Sequence, residues 1–520
     1  MIETRQPPSV DDDRGTHRRW YVLMAAAIVL HILAMTNSDL GLDAHVRLNA
    51  AMDGAHEGQD LAWGKLRIAN STDQAPSNEH VYDGYIAPWF TSEISAKTTA
   101  FVGVLAVACL AGISPRWSGR SQRFNPMRPT LVLLSPIFLF VSARGYDEGM
   151  LALVAGFGAV GFLFNDGSQR PQRLLHVVMM ATAVVLLLGW KGFNPLLSSG
   201  AFLITMAVGI GWMMVEERSS GALRQWVVHP WKMAISSGIT VLVVVFAVGF
   251  GADAGTFGIV ALHPLAFIFA TFVALVHCLA LFLVVGFVLW PVLSVRWLSL
   301  SALRGPGPTM LASYIAVLLA GIAAYIGALW TLESQLWGRS LFETMLVLGN
   351  NGRYATAVLL PLMVLLSWPV NQEQHRVTQQ EETRMKWGLL VLLPLTLFVS
   401  FYGQQLWSDD AGIWLADSME EEDTCFVMVA PETLAMHHLY VIKSNVDLTG
   451  KDEIDGYWRT ASLIDDFLDS QPECDELMLV APGEAYDPGE GWVLVNEQTA
   501  PYTLSGGADA GSWKVYRASV

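Results

Sequence analysis

The chain has 520 residues, of which 53% are hydrophobic and only 15% charged. A soluble protein of this size would carry charge on roughly a quarter of its residues, so composition excludes an ordinary water-soluble enzyme. The net charge of −16 argues against a nucleic-acid partner, because phosphate recognition needs a basic face.

Residues 1–19, with the stretch "DDDRGTHRR", read as a disordered cytoplasmic tail. Beyond them the apolar residues come in long runs. A helix rises about 1.5 Å per residue, so roughly 20 residues cross the hydrocarbon layer. Eleven segments are predicted, near 20–36, 97–113, 130–142, 150–164, 174–190, 198–214, 233–251, 265–290, 309–331, 354–369 and 387–403. The first lacks a small-residue cleavage site before Asp39 and reads as a structural helix rather than a signal sequence. Residues 20–403 are therefore expected to form a polytopic α-helical membrane domain, with a long first loop at 37–96.

Lys and Arg set its expected orientation. With a cytoplasmic N-terminus, 18 of them fall on the cytoplasmic side, including the cluster Arg116, Arg120, Arg123 and Arg128. The opposite loops hold only eight. The chain is thus predicted to be a multi-pass protein of the cell membrane, N-terminus inside and C-terminus outside. Loop 37–96 and residues 404–520 are then extracytoplasmic.

After residue 403 the composition turns acidic and soluble. "CFVMVAP", "ELMLVAP", "GWVLVNE" and "WKVYRASV" read as short buried strands, with a helical stretch around "YWRTASLIDDFLDS". That pattern predicts a small α/β domain over 404–520. Cys109 and Cys278 lie in apolar helices as packing residues. Cys425 and Cys474 each introduce a similar strand, and outside the cell a pairing between them is an open option. No tandem repeat, zinc-ligand spacing, P-loop or nucleophile elbow occurs.

Function then rests on polar groups expected at the outer membrane face. Asp43 and His45 stand two apart in "DLGLDAHVRLNAAMDG", just past the first apolar run. Asp43 can serve as a helix cap, its carboxylate facing the positive end of the dipole, or as a base. Arg144, Tyr146, Asp147 and Glu148 crowd into "SARGYDEGM", the next outer connection. A hydrated turn would need Gly or Asn rather than Arg, Asp and Glu together. Arg353 and Tyr354 open the tenth segment in "GNNGRYATAVLLPLMVLLS". They read either as interfacial anchors or as a planar guanidinium fork for phosphate beside an aromatic ring. Lys191 in "WKGFNP", and His263 in "ALHPL" with Asp253 upstream, are weaker candidates for the same face.

The order and sidedness of these motifs resemble those of the C-type (GT-C) membrane glycosyltransferases, in particular the polyprenyl- or dolichyl-phosphate-sugar-dependent mannosyltransferases. "GLDAHVRLNAAMDG" looks like that superfamily's acidic first-loop motif, with Asp43 in the acid's place. "RGYDEGMLALVAGFGAVGFLF" resembles its second acidic site, with Asp147 or Glu148 as candidates. "RYATAVLLPLMVLL" is similar to its late Arg-Tyr motif with a proline inside the helix. The resemblance implies transfer of a sugar from a lipid phosphate to a glycan, lipid or protein acceptor, as in protein glycosylation. Asp43 would be the base or acceptor-orienting acid, with Arg353 and Lys191 on the phosphate and His45, Arg144, Tyr146, His263 and Tyr354 lining the substrates. Many relatives carry two acids in the first motif, where this chain has His45, so His45 is a metal ligand, a sugar contact or neither. A divalent metal, Mg or Mn, on Asp43, His45, Asp147 or Glu148 is left open, because one branch of the superfamily needs a metal and another works without.

Two other classes compete. A secondary transporter would carry ionisable groups near the midplane and repeated halves with broken helices. Here the segment centres hold almost none. A non-catalytic membrane scaffold with a C-terminal binding domain leaves "GLDAH" and "RGYDEG" without a role.

Overall fold

A computed structural model describes residues 10–53, 92–118, 124–190, 195–250, 256–280, 303–368, 406–419, 425–450, 454–469, 476–483, 486–500 and 511–518, together with helical positions between 387 and 400. Lys191, Asp253, Cys474 and most of loop 37–96 lie outside the described residues.

Among the described residues six helices are long and apolar enough to cross a membrane: Arg18–Asn37, Glu93–Gly112, Arg170–Trp190, Leu196–Arg218, Pro230–Phe250 and Pro306–Leu336. Shorter apolar helices, Glu148–Leu163, Pro264–Ala280 and Asn351–Leu366, pack among them. Phe138, Phe162 and Trp330 fill the shared core. Backbones come close where the side chains vanish. A Cβ on Gly103 would lie 2.6 Å from the Gly149 backbone, and one on Gly149 would lie 2.5 Å from the Ala100 carbonyl. Small residues at such crossings let membrane helices approach without a hydrophobic driving force between them. This contact fixes the start of the Glu148–Val160 helix against Glu93–Gly112.

Two predicted segments are not single helices. The third is split into Met127–Leu133 and Pro136–Ala143. Ser135 precedes proline, whose ring disfavours the helical region, and it adopts an extended ψ of 124°. The tenth begins as a 3₁₀ helix over Gly349–Val358 and becomes α-helical only at Leu359–Leu366. Runs of 3₁₀ longer than three or four residues are uncommon.

The C-terminal unit is a five-stranded sheet in the order β2-β1-β3-β5-β4. Its strands are β1 Cys425–Val429, β2 Asp455–Arg459, β3 Leu477–Pro482, β4 Trp492–Thr499 and β5 Ser512–Ala518. β1 pairs in parallel with β2 and β3, while β5 runs antiparallel to β3 and β4. The interior strands β1 and β3 are buried on both faces, which explains their unbroken apolar runs. Phe426 and Met428 pack with Leu439 and Trp513 on one side, and Val427 and Val429 with Ile464 and Phe467 on the other.

All four predicted strands are present, but "GWVLVNE" is corrected from a buried strand to a largely exposed one, because β4 lies at the edge of the sheet. The stretch around "YWRTASLIDDFLDS" is corrected: Asp455–Arg459 is strand β2, and the helix covers only Ile464–Asp469. Two further helices, Trp407–Ser418 and Ala435–Leu448, were not foreseen. Cys425 is disulfide-bonded, whereas Cys109 and Cys278 are free thiols.

Candidate functional site

The site is built around the start of the Leu42–Asp53 helix. Gly41 precedes it and passes directly over Tyr146; a Cβ there would lie 2.3 Å from the ring. The Gly41 N–H donates to the Arg144 carbonyl at 2.9 Å, clipping the first loop to the connection between the Pro136–Ala143 and Glu148–Val160 helices. That connection turns at Gly145, whose φ of +66° is left-handed and suits only glycine without strain. Two glycines thus interlock the first and second sequence motifs.

Asp43 falls in the first turn of its helix, where a carboxylate is favoured by the dipole. One oxygen pairs with the Arg353 guanidinium. Arg353 Nε donates to Glu148 Oε1 at 2.7 Å. The 3₁₀ period of three residues puts Arg353 and Thr356 on one face, so that both meet Glu148. Thr356 Oγ1 lies 3.5 Å from the Glu148 carbonyl oxygen. His277 anchors the start of that helix through a 2.7 Å contact to the Gly349 carbonyl. The guanidinium also stacks over the ring of Tyr146, 4.3 Å from its centroid, and lies 5.2 Å from that of Tyr354.

Asp147 forms a second pair beside the first. It meets Arg47, four residues after Asp43, and accepts a 2.8 Å hydrogen bond from Trp190 Nε1. The three carboxylates therefore differ in access. Asp43 is 34% exposed, Asp147 4% and Glu148 0%. Asp147 and Glu148 are interior partners of arginine, and Asp43 is the most accessible of the three acids.

The remaining candidates divide. Arg144 is buried, with its guanidinium 5.5 Å from the Phe140 centroid and its carbonyl holding Gly41. Tyr354 packs edge-on to Tyr325 at 5.8 Å. His263 sits between the Ile259–Leu262 and Pro264–His277 helices and makes no hydrogen bond or ion pair with this cluster among the described residues. His45 is buried beneath the C-terminal unit, where its Nδ1 lies 2.7 Å from Ser444 Oγ and its Nε2 3.6 Å from Asp409. Burial lowers its pKa, so the imidazole is held neutral. Its partners make it a strut between the two units rather than a sugar contact.

Four groups were invisible to sequence reasoning. Arg47 stands in a polar stretch of the sequence and Trp190 closes an apolar run, so nothing local marks either. Asp39 and His437 belong to the seam with the C-terminal unit. Asp39 is hydrogen-bonded to Asp409, and burial together with that neighbouring carboxylate pushes its pKa up to about 8. His437 Nε2 lies 3.6 Å from Asp43 Oδ1. The acid-rich composition near Asp39 was legible, but the fold had to bring residues 409 and 437 to it.

As to metal, no group of three or more His, Cys, Asp or Glu side chains is arranged to hold one among the described residues. Each of the three acids faces an arginine instead. This donor set does not fit a metal centre.

Fold and site together describe a helical, membrane-type bundle with an α/β unit seated over an Asp–Arg–Glu cluster. No family model matches the chain. No curated protein matches it either. Two solved structures resemble it in outline, both of ArnT from Cupriavidus metallidurans. The crystal structure bound to undecaprenyl phosphate shares 13% identity and a TM-score of 0.41, over 95% of this chain and 98% of that one. The apo structure shares 12% identity and a TM-score of 0.33, over 96% and 98%. At this level of likeness the functional reading rests on the site itself.

Proposed function

We propose that the chain is a membrane glycosyltransferase that moves a sugar from a polyprenyl phosphate to an extracytoplasmic acceptor. The carrying observation is the contrast within one cluster: Asp43 is partly exposed, while the Arg353 that orients it is anchored on the fully buried Glu148. A carboxylate held this way keeps one direction and needs no reorganisation when it takes a proton.

In the proposed reaction the acceptor hydroxyl gives its proton to Asp43. Its oxygen forms the bond to the anomeric carbon. The bond from that carbon to the phosphate oxygen breaks, and the electron pair leaves with the lipid phosphate. Arg353, with Lys191, the residue that follows Trp190 in the sequence, balances the charge that builds on the phosphate. The sugar and the acceptor class are assigned by experiment: full-length protein in detergent is incubated with a panel of undecaprenyl-phosphate sugars, and released undecaprenyl phosphate is measured.

The decisive variant is Asp43→Asn. Asn keeps the shape and favours a helix N-terminus, but cannot accept the proton. Loss of a general base lowers the rate about 10²- to 10⁴-fold. If Asp43→Asn keeps more than about a third of wild-type release, far above that range, Asp43 is structural and the reading fails.

A further inference from the structure

The C-terminal unit looks non-catalytic from its sequence, yet it reaches Asp43 directly. His437 and His438 are neighbours on the Ala435–Leu448 helix and face opposite ways in function. His438 turns inward, its Nδ1 2.8 Å from Ser408 Oγ, and burial drives its pKa down to about 3. His437 turns outward and is 19% exposed at the seam. Seven residues on, Ser444 lies on the same face, two turns along the helix, and holds His45. The helix that carries Asp43 and His45 is thereby read by one face of the soluble unit.

Strand order strengthens the case. β1 leads through the Ala435–Leu448 helix to β2 on one side, and the chain then returns through Ile464–Asp469 to β3 on the other. The two helices pack on opposite sides of the sheet. In such sheets ligands bind outside the carboxyl ends of the strands, where the strand order reverses. His437 stands in the first turn of the helix that follows β1, next to that crevice. The turn leading into it is tight: Leu434 has a φ of 56°, a conformation that non-glycine side chains rarely adopt and that persists where the surroundings require it.

We propose that His437 is a positioning residue for Asp43, so that the soluble unit completes the acceptor side of the site. Arg353 holds Oδ2 of the carboxylate from the membrane bundle, and His437 faces Oδ1 from the soluble unit. The carboxylate is then held from both sides, Oδ2 by the bundle and Oδ1 by the soluble unit. The proposal rests on the reading of Asp43 as the base. Among the described residues, the charged and titratable groups near His437 include Asp43, which it faces, and His438 beside it, with His45 next to His438 and paired to Asp409, and Arg353 with Glu148 behind Asp43.

Two measurements on the full-length protein test it separately from that reading. The first needs no turnover. Diethylpyrocarbonate modifies neutral imidazole, and mass spectrometry reads the pH profile of modification at His437. An ion pair with Asp43 raises the midpoint, so Asp43→Asn moves it down by about one pH unit. An unchanged midpoint overturns the pairing, whatever the protein catalyses. The second is kinetic. His437→Ala lowers kcat for release of undecaprenyl phosphate by about 10- to 100-fold, the cost of misplacing a reacting group by about an ångström. KM for the lipid donor and the melting temperature stay unchanged, and His437→Gln, which keeps an N–H, recovers part of the loss. Full activity in His437→Ala overturns the positioning role. If wild type itself releases no lipid phosphate while the midpoint still moves, the pairing stands and the glycosyltransferase reading is what fails.

Discussion

Arg353 and Glu148 are joined by a 2.7 Å hydrogen bond although 205 residues separate them in the chain. Glu148 is fully buried and Arg353 nearly so. Such a pair gives little net stability against a well-packed apolar replacement, but removing one partner strands the other charge. Arg353→Ala is expected to destabilise the protein by about 3–5 kcal/mol. The double variant Arg353→Ala with Glu148→Gln should recover a large part of that loss, because no buried carboxylate is then left to desolvate. Thermal unfolding in detergent checks both. Equal melting of the two variants would show that Arg353 does not act through Glu148.

Asp147 and Asp43 lie in the same cluster but should respond differently to amidation. Asp147 is buried between Arg47 and Trp190 Nε1. Asp147→Asn weakens that interior pair and is expected to lower the melting temperature while retaining measurable donor turnover. Asp43→Asn should do the reverse. A full loss of turnover in Asp147→Asn, with stability intact, would move the base from Asp43 to Asp147.

What the sequence disclosed follows from the range of each interaction. Among the described residues most of the apolar runs are helical, because a membrane helix satisfies its own backbone and needs no distant partner; the third and tenth are broken by local backbone preferences that hydropathy does not report. β1 and β3 read correctly because central strands are apolar on both faces. Asp43, Arg353 and Glu148 were each picked out as unusual at an apolar boundary. Their mutual pairing was not legible, since nothing local specifies a contact across the bundle. The Ala435–Leu448 helix was missed for a different reason. "AMHHLYVIKSNVDL" mixes β-branched and polar residues, so its helicity comes from packing Leu439 and Ile442 onto the sheet rather than from propensity. The site's second half, including His437, is carried by that helix.

Orientation is checked by labelling. The excess of Lys and Arg in one set of loops predicts that residues 404–520 lie outside the cell. Cysteines introduced singly at Asn78 and Ser418 should react with an impermeant thiol reagent in intact cells, in a background where Cys109 and Cys278 are replaced. One at Ser121 should react only after permeabilisation. Labelling of Ser121 with protection of Asn78 inverts the topology and leaves Asp43 facing the wrong compartment for an outside acceptor.

The seam between the two units should loosen as pH rises. Asp39, just past the first helix, is hydrogen-bonded to Asp409 at the start of the Trp407–Ser418 helix. Asp409 also accepts a 2.6 Å hydrogen bond from Asn445 and lies 3.6 Å from His45, so it is a hub of the docking surface. Burial is the largest cause of the raised Asp39 pKa, followed by the charge of Asp409; Glu93 adds to it and Lys97 opposes it. The ordinary value is 3.8 and the folded value about 8. Between these limits the docked protein holds a proton that the separated state has released, so stability falls as pH increases. The contribution is complete below the ordinary value, declines across the interval and is lost above about 8. Hydrogen exchange of the Leu42–Asp53 helix, measured between pH 5 and 9 and corrected for the intrinsic rate, should show weakening protection. Asp39→Asn cannot ionise and should flatten that dependence while preserving protection at the alkaline end. Parallel profiles for wild type and Asp39→Asn would show that the proton shared with Asp409 does not hold the two units together.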